Sequence, residues 1–426
     1  MGSTRPRILV LFPSHWDRRH LGRRCIQERY EVVFYDRTLW TFPVGFFRAL
    51  TFDPVAYIDK VARHATDGGF DGILSTDEYV GCAVAAAVAQ RLGWPTIDPA
   101  TVVGMQHKYA SRLLQQECVP EVVPDFQHMP VPPPPERELR LPFPFFVKPV
   151  RGSFSIFAAK VGSYQELRRH LDIDVFWRAG LRNMLRPPAR LLRHFTSDAT
   201  DVGGFIAEAT LDGVQLCIDG CVHDGEVHLM GVVDAVMFPG TIAFERFQYP
   251  SRLPPDVQTR IAAVVRRLVE GLGILHGQFN AELVYDAARD SIGLIEIHPR
   301  MSYQFADLYA DVDGVDIYDQ LLSLTVGERP NLEAVGGAYR HSTSLVIRKF
   351  GGSRITTLPD EGDLSAFRDR YPNARVEIYA KKGSMNPEMR ALGSYRCALV
   401  NVAANSAGEL STIRADVESL LAFEVA

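Results

Sequence analysis

Residues 278–297 confine this chain to a narrow set of folds. The stretch QFNAELVYDAARDSIGLIEI reads as two apolar strands, Gln278 to Tyr285 and Ile292 to Ile297, joined by the polar turn DAARDS, and so predicts an antiparallel hairpin in a core. Each strand carries an acid among apolar neighbours, Glu282 after Ala281 and Glu296 between Ile295 and Ile297. A buried carboxylate needs a cation, a set of donors or a raised pKa. Side chains alternate along an extended chain, so Glu296, His298 and Arg300 project on one side. Two facing carboxylates repel, and a hard dication shared between them relieves the repulsion, with magnesium on ATP phosphates as the candidate. A structural ion pair is the alternative.

A length of 426 residues exceeds what one core usually serves and predicts two or three domains. The formal net charge of -5 supplies no global basic field, which argues against a general nucleic-acid binder. Cys25, Cys82, Cys118, Cys217, Cys221 and Cys397 form no CxxC pair or zinc spacing and read as reduced, mostly core thiols. The run ILVLF is too short for a signal segment, and no stretch approaches the ~20 apolar residues of a membrane span. A cytoplasmic protein is expected.

From residue 7 the chain alternates strand and helix: RILVLFPS, a helix near Leu21 to Arg29, YEVVFYD, DPVAYIDKVARHATDG, DGILST, GCAVAAAVAQRLG and a last strand PTID. That pattern predicts a small α/β unit with a parallel sheet whose ligand-facing loops follow the strands. The proline tract MPVPPPPE favours a stiff polyproline II spacer. Arg178, Arg182 and Arg186 fall four apart on one helical face, either solvated or gripping an anionic substrate or a partner protein. The tail from 333 holds the strand-like STSLVIRKF and RCALVNVAA and a terminal helix.

Lys148 ends the aromatic strand FFVKPV and precedes a turn with Gly152, Ser153 and Ser155, whose backbone N–H groups suit phosphate oxygens. With Lys148 and Pro149 followed far downstream by Glu282 and Glu296, the chain resembles the ATP-grasp superfamily, in particular its carboxylate-amine ligases of the D-alanine:D-alanine ligase and amino-acid ligase kind. The resemblance implies an α/β and α+β fold: a preATP-grasp domain over residues 1–105, an ATP-grasp domain of two lobes over 106–332, and a C-terminal lid over 333–426. It also implies that Lys108 and Lys148 contact phosphates. Glu208, Ala209 and Leu211 of FIAEATLDGVQL would meet adenine, and Gln215 the ribose. Glu282 and Glu296 match the metal-ligating acids, and Arg300 an arginine that steadies the reacting carboxyl and the transferred phosphoryl.

Two positions depart from the family pattern. His298 stands where asparagine is usual, and its imidazole either binds a metal less selective for magnesium, hydrogen-bonds a phosphate, or is a satisfied strand histidine. RMSYQF replaces a glycine-rich turn, so Tyr303 or Gln304 would narrow the substrate pocket. Glu245, with Arg246, falls where the family's large loop closes over the acyl phosphate, or forms a surface pair. His15 and Glu78 line the cleft from the first domain or stand on solvated loops.

The activity implied is ATP-dependent joining of a carboxylate to an amine through an acyl phosphate, with ATP and Mg2+ or Mn2+ as cofactors and a lobe around 150–205 that closes over the site. A phosphotransferase and a nucleotide-binding protein without turnover are the alternatives. The partners implied are small-molecule carboxylate and amine substrates, with no nucleic acid or membrane, and with a homodimer open.

Overall fold

Strand β1 (Arg7–Leu11) pairs in parallel with β2 (Glu31–Tyr35) on one side and β3 (Gly72–Leu74) on the other. The computed structural model describes residues 5–35, 51–78, 80–152, 157–172, 185–196, 203–351, 354–383 and 393–426. The helix Pro54–Asp67 is capped by Asp53 with a proline at its start, and Gly81–Leu92 ends on Gly93 at φ 75. Both pack on this sheet as the alternation predicts.

Two details differ. The helix expected near Leu21 to Arg29 is two, His15–Leu21 and Arg24–Arg29, because a capping box of Ser14 and Asp17 starts the first early and Gly22 ends it. PTID is no strand. Pro95 has no N–H to donate, and Asp98 is instead the N-cap of the helix Pro99–Gln106, accepting from Thr101 N.

A second sheet consists of β4 (Phe126–Met129), β5 (Phe145–Pro149), β6 (Ala159–Val161) and β7 (Phe205–Ala209), in the order β4-β7-β5-β6. The third is the largest. It contains β8 (Val214–His223), β9 (Glu226–Met237), β10 (Phe244–Tyr249), β11 (Gly277–Asp286) and β12 (Ser291–His298). Later in the chain come β13 (His341–Phe350), β14 (Ile355–Thr357), β15 (Arg375–Ile378), β16 (Ser394–Ala404) and β17 (Glu424–Val425). The eight-stranded order is β12-β11-β8-β9-β10-β13-β16-β15, while β14 pairs with β17. The segment after residue 333 therefore extends the central sheet through β13, β16 and β15 and adds the helix Ala407–Leu420.

The hairpin of β11 and β12 forms as the apolar pattern requires, and Asp286 Oδ1 accepts from Ala288 N and Arg289 N to set its turn. Its register carries one irregularity. Glu282 pairs with Glu296 but Leu283 pairs with Leu294, so Ile295 is an extra residue on β12. That bulge lets Leu294 and Ile297, three apart, both reach the core, where each is essentially fully buried. Among the described residues no helix is long and apolar enough to cross a membrane.

Candidate active site

The bulge at Ile295 leaves strand carbonyls to be satisfied, and Arg112 meets them: Nη1 donates to Leu294 O and Nη2 to Ile295 O, both at 2.8 Å. Arg112 lies one turn beyond Lys108 on the helix Lys108–Cys118, so both face the edge strand β12. Its Nε also donates to Glu208 Oε1 at 2.6 Å. From β5, Lys148 reaches Glu208 Oε2 at 2.9 Å and Glu296 Oε1 at 3.1 Å. Lys108 Nζ donates to Glu296 Oε2 at 3.0 Å and to Gly152 O at 3.1 Å. Gly152 holds φ 151, where a side chain is disfavoured. The result is a narrow cleft between the four-stranded sheet and β12, lined by Met105, Lys108, Lys148, Glu208, Ile295 and Glu296.

Beside it, Glu282 Oε2 accepts from Gln215 Nε2 at 3.0 Å. His298 Nε2 lies 3.3 Å from Glu282 Oε1 and 3.8 Å from Glu296 Oε2, yet it is buried without an aligned hydrogen bond. Its Nδ1 meets Glu78 Oε1 at 2.8 Å, and Arg300 Nη2 donates to Glu78 Oε2 at 2.6 Å. Glu78 thus reaches from the loop after β3 and holds both groups at once. Behind this row, Asp219 Oδ1 accepts from Asn280 Nδ2 at 3.1 Å and Ser302 N at 2.7 Å, and its Oδ2 accepts from Tyr309 OH at 3.1 Å.

Burial works against charge on every group here, and the neighbours decide the outcome. It would raise Glu296, but Lys108 and Lys148 hold this carboxyl well below the usual range. It would raise Glu208, which Arg112 and Lys148 outweigh, and Glu78, which His298 and Arg300 outweigh. Burial would lower His298, but the Glu78 carboxylate hydrogen-bonded at Nδ1 and the nearby Glu282 carboxylate push it up to about 9. Asp219 shows the reverse balance: burial prevails over its three donors and pushes it up to about 7.

A divalent cation fits the space between Glu282, Glu296 and His298 by its donor set, two carboxylates and an imidazole whose buried Nε2 lacks an aligned partner. Anionic phosphate oxygens fit Lys108 and Lys148, which share one carboxylate, Glu296, as counter-ion.

Residues 141–309 match the family model of the ATP-grasp domain. This chain carries an ATP-grasp domain. The matched span includes Lys148, Glu208, Glu282, Glu296, His298 and Arg300 but neither Lys108, Arg112 nor Glu78. The fold is similar over the full length of both chains to the L-amino acid ligase of Bacillus licheniformis, with a TM-score of 0.75 at 16% identity. It is also similar to N5-carboxyaminoimidazole ribonucleotide synthetase from Thermotoga maritima, with a TM-score of 0.67 and 13% identity over 99% of this chain and 100% of that one. Carboxyaminoimidazole ribonucleotide synthase from Aspergillus clavatus, complexed with ATP, matches with a TM-score of 0.67 and 14% identity over 97% of each chain. No curated protein sequence matches this chain. These likenesses establish the ATP-grasp fold that the order of motifs predicts.

Around the ATP-grasp cleft the structure brings together Lys108, Lys148, Gly152, Glu208, Gln215, Glu282, Glu296, His298 and Arg300. Other expected residues stand differently. Ala209 already donates its N–H to Asp125 O at 2.8 Å, whereas Leu211 remains exposed at 36%. Glu245, on β10 and three strand positions from β11, is ion-paired to its neighbour Arg246 and to Arg414 of the helix Ala407–Leu420. His15 pairs with Glu377 at 3.3 Å, Tyr303 stacks at a tilt near Trp16, and Gln304 donates to Ser344 Oγ. Ser153, Ser155, Arg178 and Arg182 lie outside the described residues, and Arg186 begins the helix Arg186–Phe195.

Arg112 and Asp219 were absent from the expected site. Both left a trace: Arg112 follows Lys108 by four residues on a helix, and Asp219 interrupts the apolar strand CIDGC as Glu282 interrupts its own.

Proposed function

We propose that the protein is an ATP-dependent ligase that joins a carboxylate to an amine, with release of ADP and phosphate. The observation that carries this reading is the pair of lysines, half-buried Lys108 and buried Lys148, closing on Glu296 at 3.0 and 3.1 Å while Glu282 stands opposite it. When nucleotide arrives, its phosphate oxygens replace Glu296 as partners of the lysines and leave that carboxylate for a cation. Glu282, Glu296 and His298 would hold Mg2+ or Mn2+, which supplies charge neutralisation at the phosphates. His298 must give up a proton to serve as a ligand, and Glu78 at Nδ1 fixes the ring so that Nε2 faces the carboxylates.

Arg300 supports the ligase reading in particular. Glu78 orients its guanidinium and, against the burial that would lower it, keeps it cationic beside the two carboxylates. From there it would bind the substrate carboxylate, steady the phosphoryl as it moves to the carboxylate oxygen, and stabilise the oxyanion when the amine displaces phosphate. Leu211 offers apolar surface for adenine. Division into segments 1–105, 106–332 and 333–426 belongs to the same reading, as does a reducing cytoplasmic setting in keeping with six free cysteines.

The test is turnover with an oxygen-labelled carboxylate. A ligase releases ADP, orthophosphate carrying one label, and an amide, only when carboxylate and amine are both present. A stable phosphorylated product without orthophosphate would replace the ligase with a phosphotransferase.

A further inference from the structure

At the far end of β8 and β11 from Glu282 lies a second cluster of ligating side chains. His223 closes β8, Asp224 and Gly225 make the turn into β9, and His276 immediately precedes β11. Six residues along an extended strand separate His276 from Glu282, roughly 20 Å, so this group is independent of the nucleotide cleft. Asp224 Oδ1 is 3.2 Å from His276 Nε2, and Asp224 Oδ2 is 3.6 Å from His223 Nδ1. One ligand atom from each of the three residues lies within 4.8 Å of the others.

Those spacings have a chemical reading. Tetrahedral zinc with bonds of about 2.0–2.1 Å to nitrogen and oxygen separates its ligand atoms by roughly 3.3–3.4 Å. The contact between Asp224 Oδ1 and His276 Nε2, at 3.2 Å, is close to that value, and the third ligand atom lies within 4.8 Å of both. Hydrogen bonding between the same groups would give similar distances, but two further features favour an ion. His223 turns its outer nitrogen, Nε2, to Gly327 O at 3.5 Å, the carbonyl contact that commonly orients a metal-bound imidazole. The turn itself is anchored, since Gly225 N donates to Leu275 O at 3.0 Å, next to His276. Asp224 is largely exposed and gives an ion a route in, while the two imidazole rings stand edge to face at 90°.

We propose that His223, Asp224 and His276 form a site for a divalent transition-metal ion of the zinc class, bound through His223 Nδ1, an Asp224 oxygen and His276 Nε2, with water completing the shell. Two nitrogens with one oxygen disfavour magnesium and calcium, which prefer oxygen throughout. The bound ion ties the β8–β9 hairpin to the start of β11 and, through His223, to the backbone after the helix Ile317–Thr325.

The test uses the full chain, stripped with chelator and titrated with Zn2+ by calorimetry and with Co2+ by absorption. Wild type is compared with His223→Ala/His276→Ala, with Asp224→Asn, and with Glu282→Gln/Glu296→Gln, which alters the other candidate metal site. The expected result is one Zn2+ site retained in Glu282→Gln/Glu296→Gln and lost in the histidine variant, with at least about tenfold weaker binding in Asp224→Asn. Zinc should raise the melting temperature only where the site is intact. Should the double histidine variant misfold, Asp224→Asn decides. Unchanged Zn2+ affinity in either the histidine variant or Asp224→Asn overturns the proposal, as does loss of all Zn2+ binding in Glu282→Gln/Glu296→Gln.

Discussion

Glu282 and Glu296 face each other across the β11–β12 ladder, and His298 Nε2 stands 3.3 Å from the first and 3.8 Å from the second. Replacing Glu296 by Gln keeps the shape of this site but removes the charge that would hold a dication. Turnover is expected to fall on the order of a hundredfold or more, with the far-ultraviolet circular dichroism spectrum unchanged. A magnesium titration of the rate checks it, because saturating metal should fail to restore activity. Lys148→Ala, which removes the buried cation proposed to meet phosphate, should weaken ATP binding in calorimetry.

His298→Asn exchanges an imidazole for an oxygen donor at the same cross-strand position, opposite Asn280. The ratio of manganese-supported to magnesium-supported turnover should then fall on the order of tenfold. A constant ratio would identify His298 as a bridge between Glu78 and Glu282 only. Metal titrations of both proteins, read as rates, separate the two outcomes.

Arg112 is fully buried and joins Glu208 to two carbonyls of β12. Arg112→Met should cost about 3–5 kcal/mol, since Glu208 loses a buried counter-ion and Leu294 O and Ile295 O lose their donors. The denaturant midpoint with a constant slope measures this. Arg112→Met with Glu208→Gln should recover part of the loss, because the uncompensated charge is gone.

Asp219 gives a pH signature. Its carboxyl sits at about 7 in the folded protein against an ordinary value of 3.8, so between those limits the folded state binds more protons than the unfolded one. Stability from this group is greatest below about 4 and falls as pH rises through the window, by up to roughly 1.4 kcal/mol per unit. His20, pushed down to about 4 by burial, acts with the opposite sign over nearly the same range, which flattens the total. The difference between wild type and Asp219→Asn isolates the Asp219 slope: relative to the variant, wild type should lose stability from pH 4.5 to 7.

The hairpin was legible because period-two alternation and a polar turn are local signals, and so were the acids interrupting it. Strict alternation, however, cannot seat Leu294 and Ile297 in one core; the bulge at Ile295 that does so depends on Arg112, which arrives from another segment. Glu78 illustrates the same limit. Its loop in isolation leaves open whether it lines the cleft or is solvated, and only the approach of His298 and Arg300, more than two hundred residues away, makes it a paired, half-buried anion. PTID failed for a local reason, since Pro95 and the capping Asp98 leave too little of it free to pair.

The continuous ladder from β12 to β15 behaves mechanically as a beam, because sliding one strand past the next breaks many backbone hydrogen bonds together. Among the described residues the sheet of β4 to β7 shares no strand pairing with that beam; Lys148 links its β5 to Glu296 through an ion pair. Ion pairs exchange partners far more readily than ladders do. Under the proposed function, anions that compete for Lys148 would release Glu296, so ligand entry and the loosening of this contact between the sheets would draw on one electrostatic event, while Arg112 still joins Glu208 to β12.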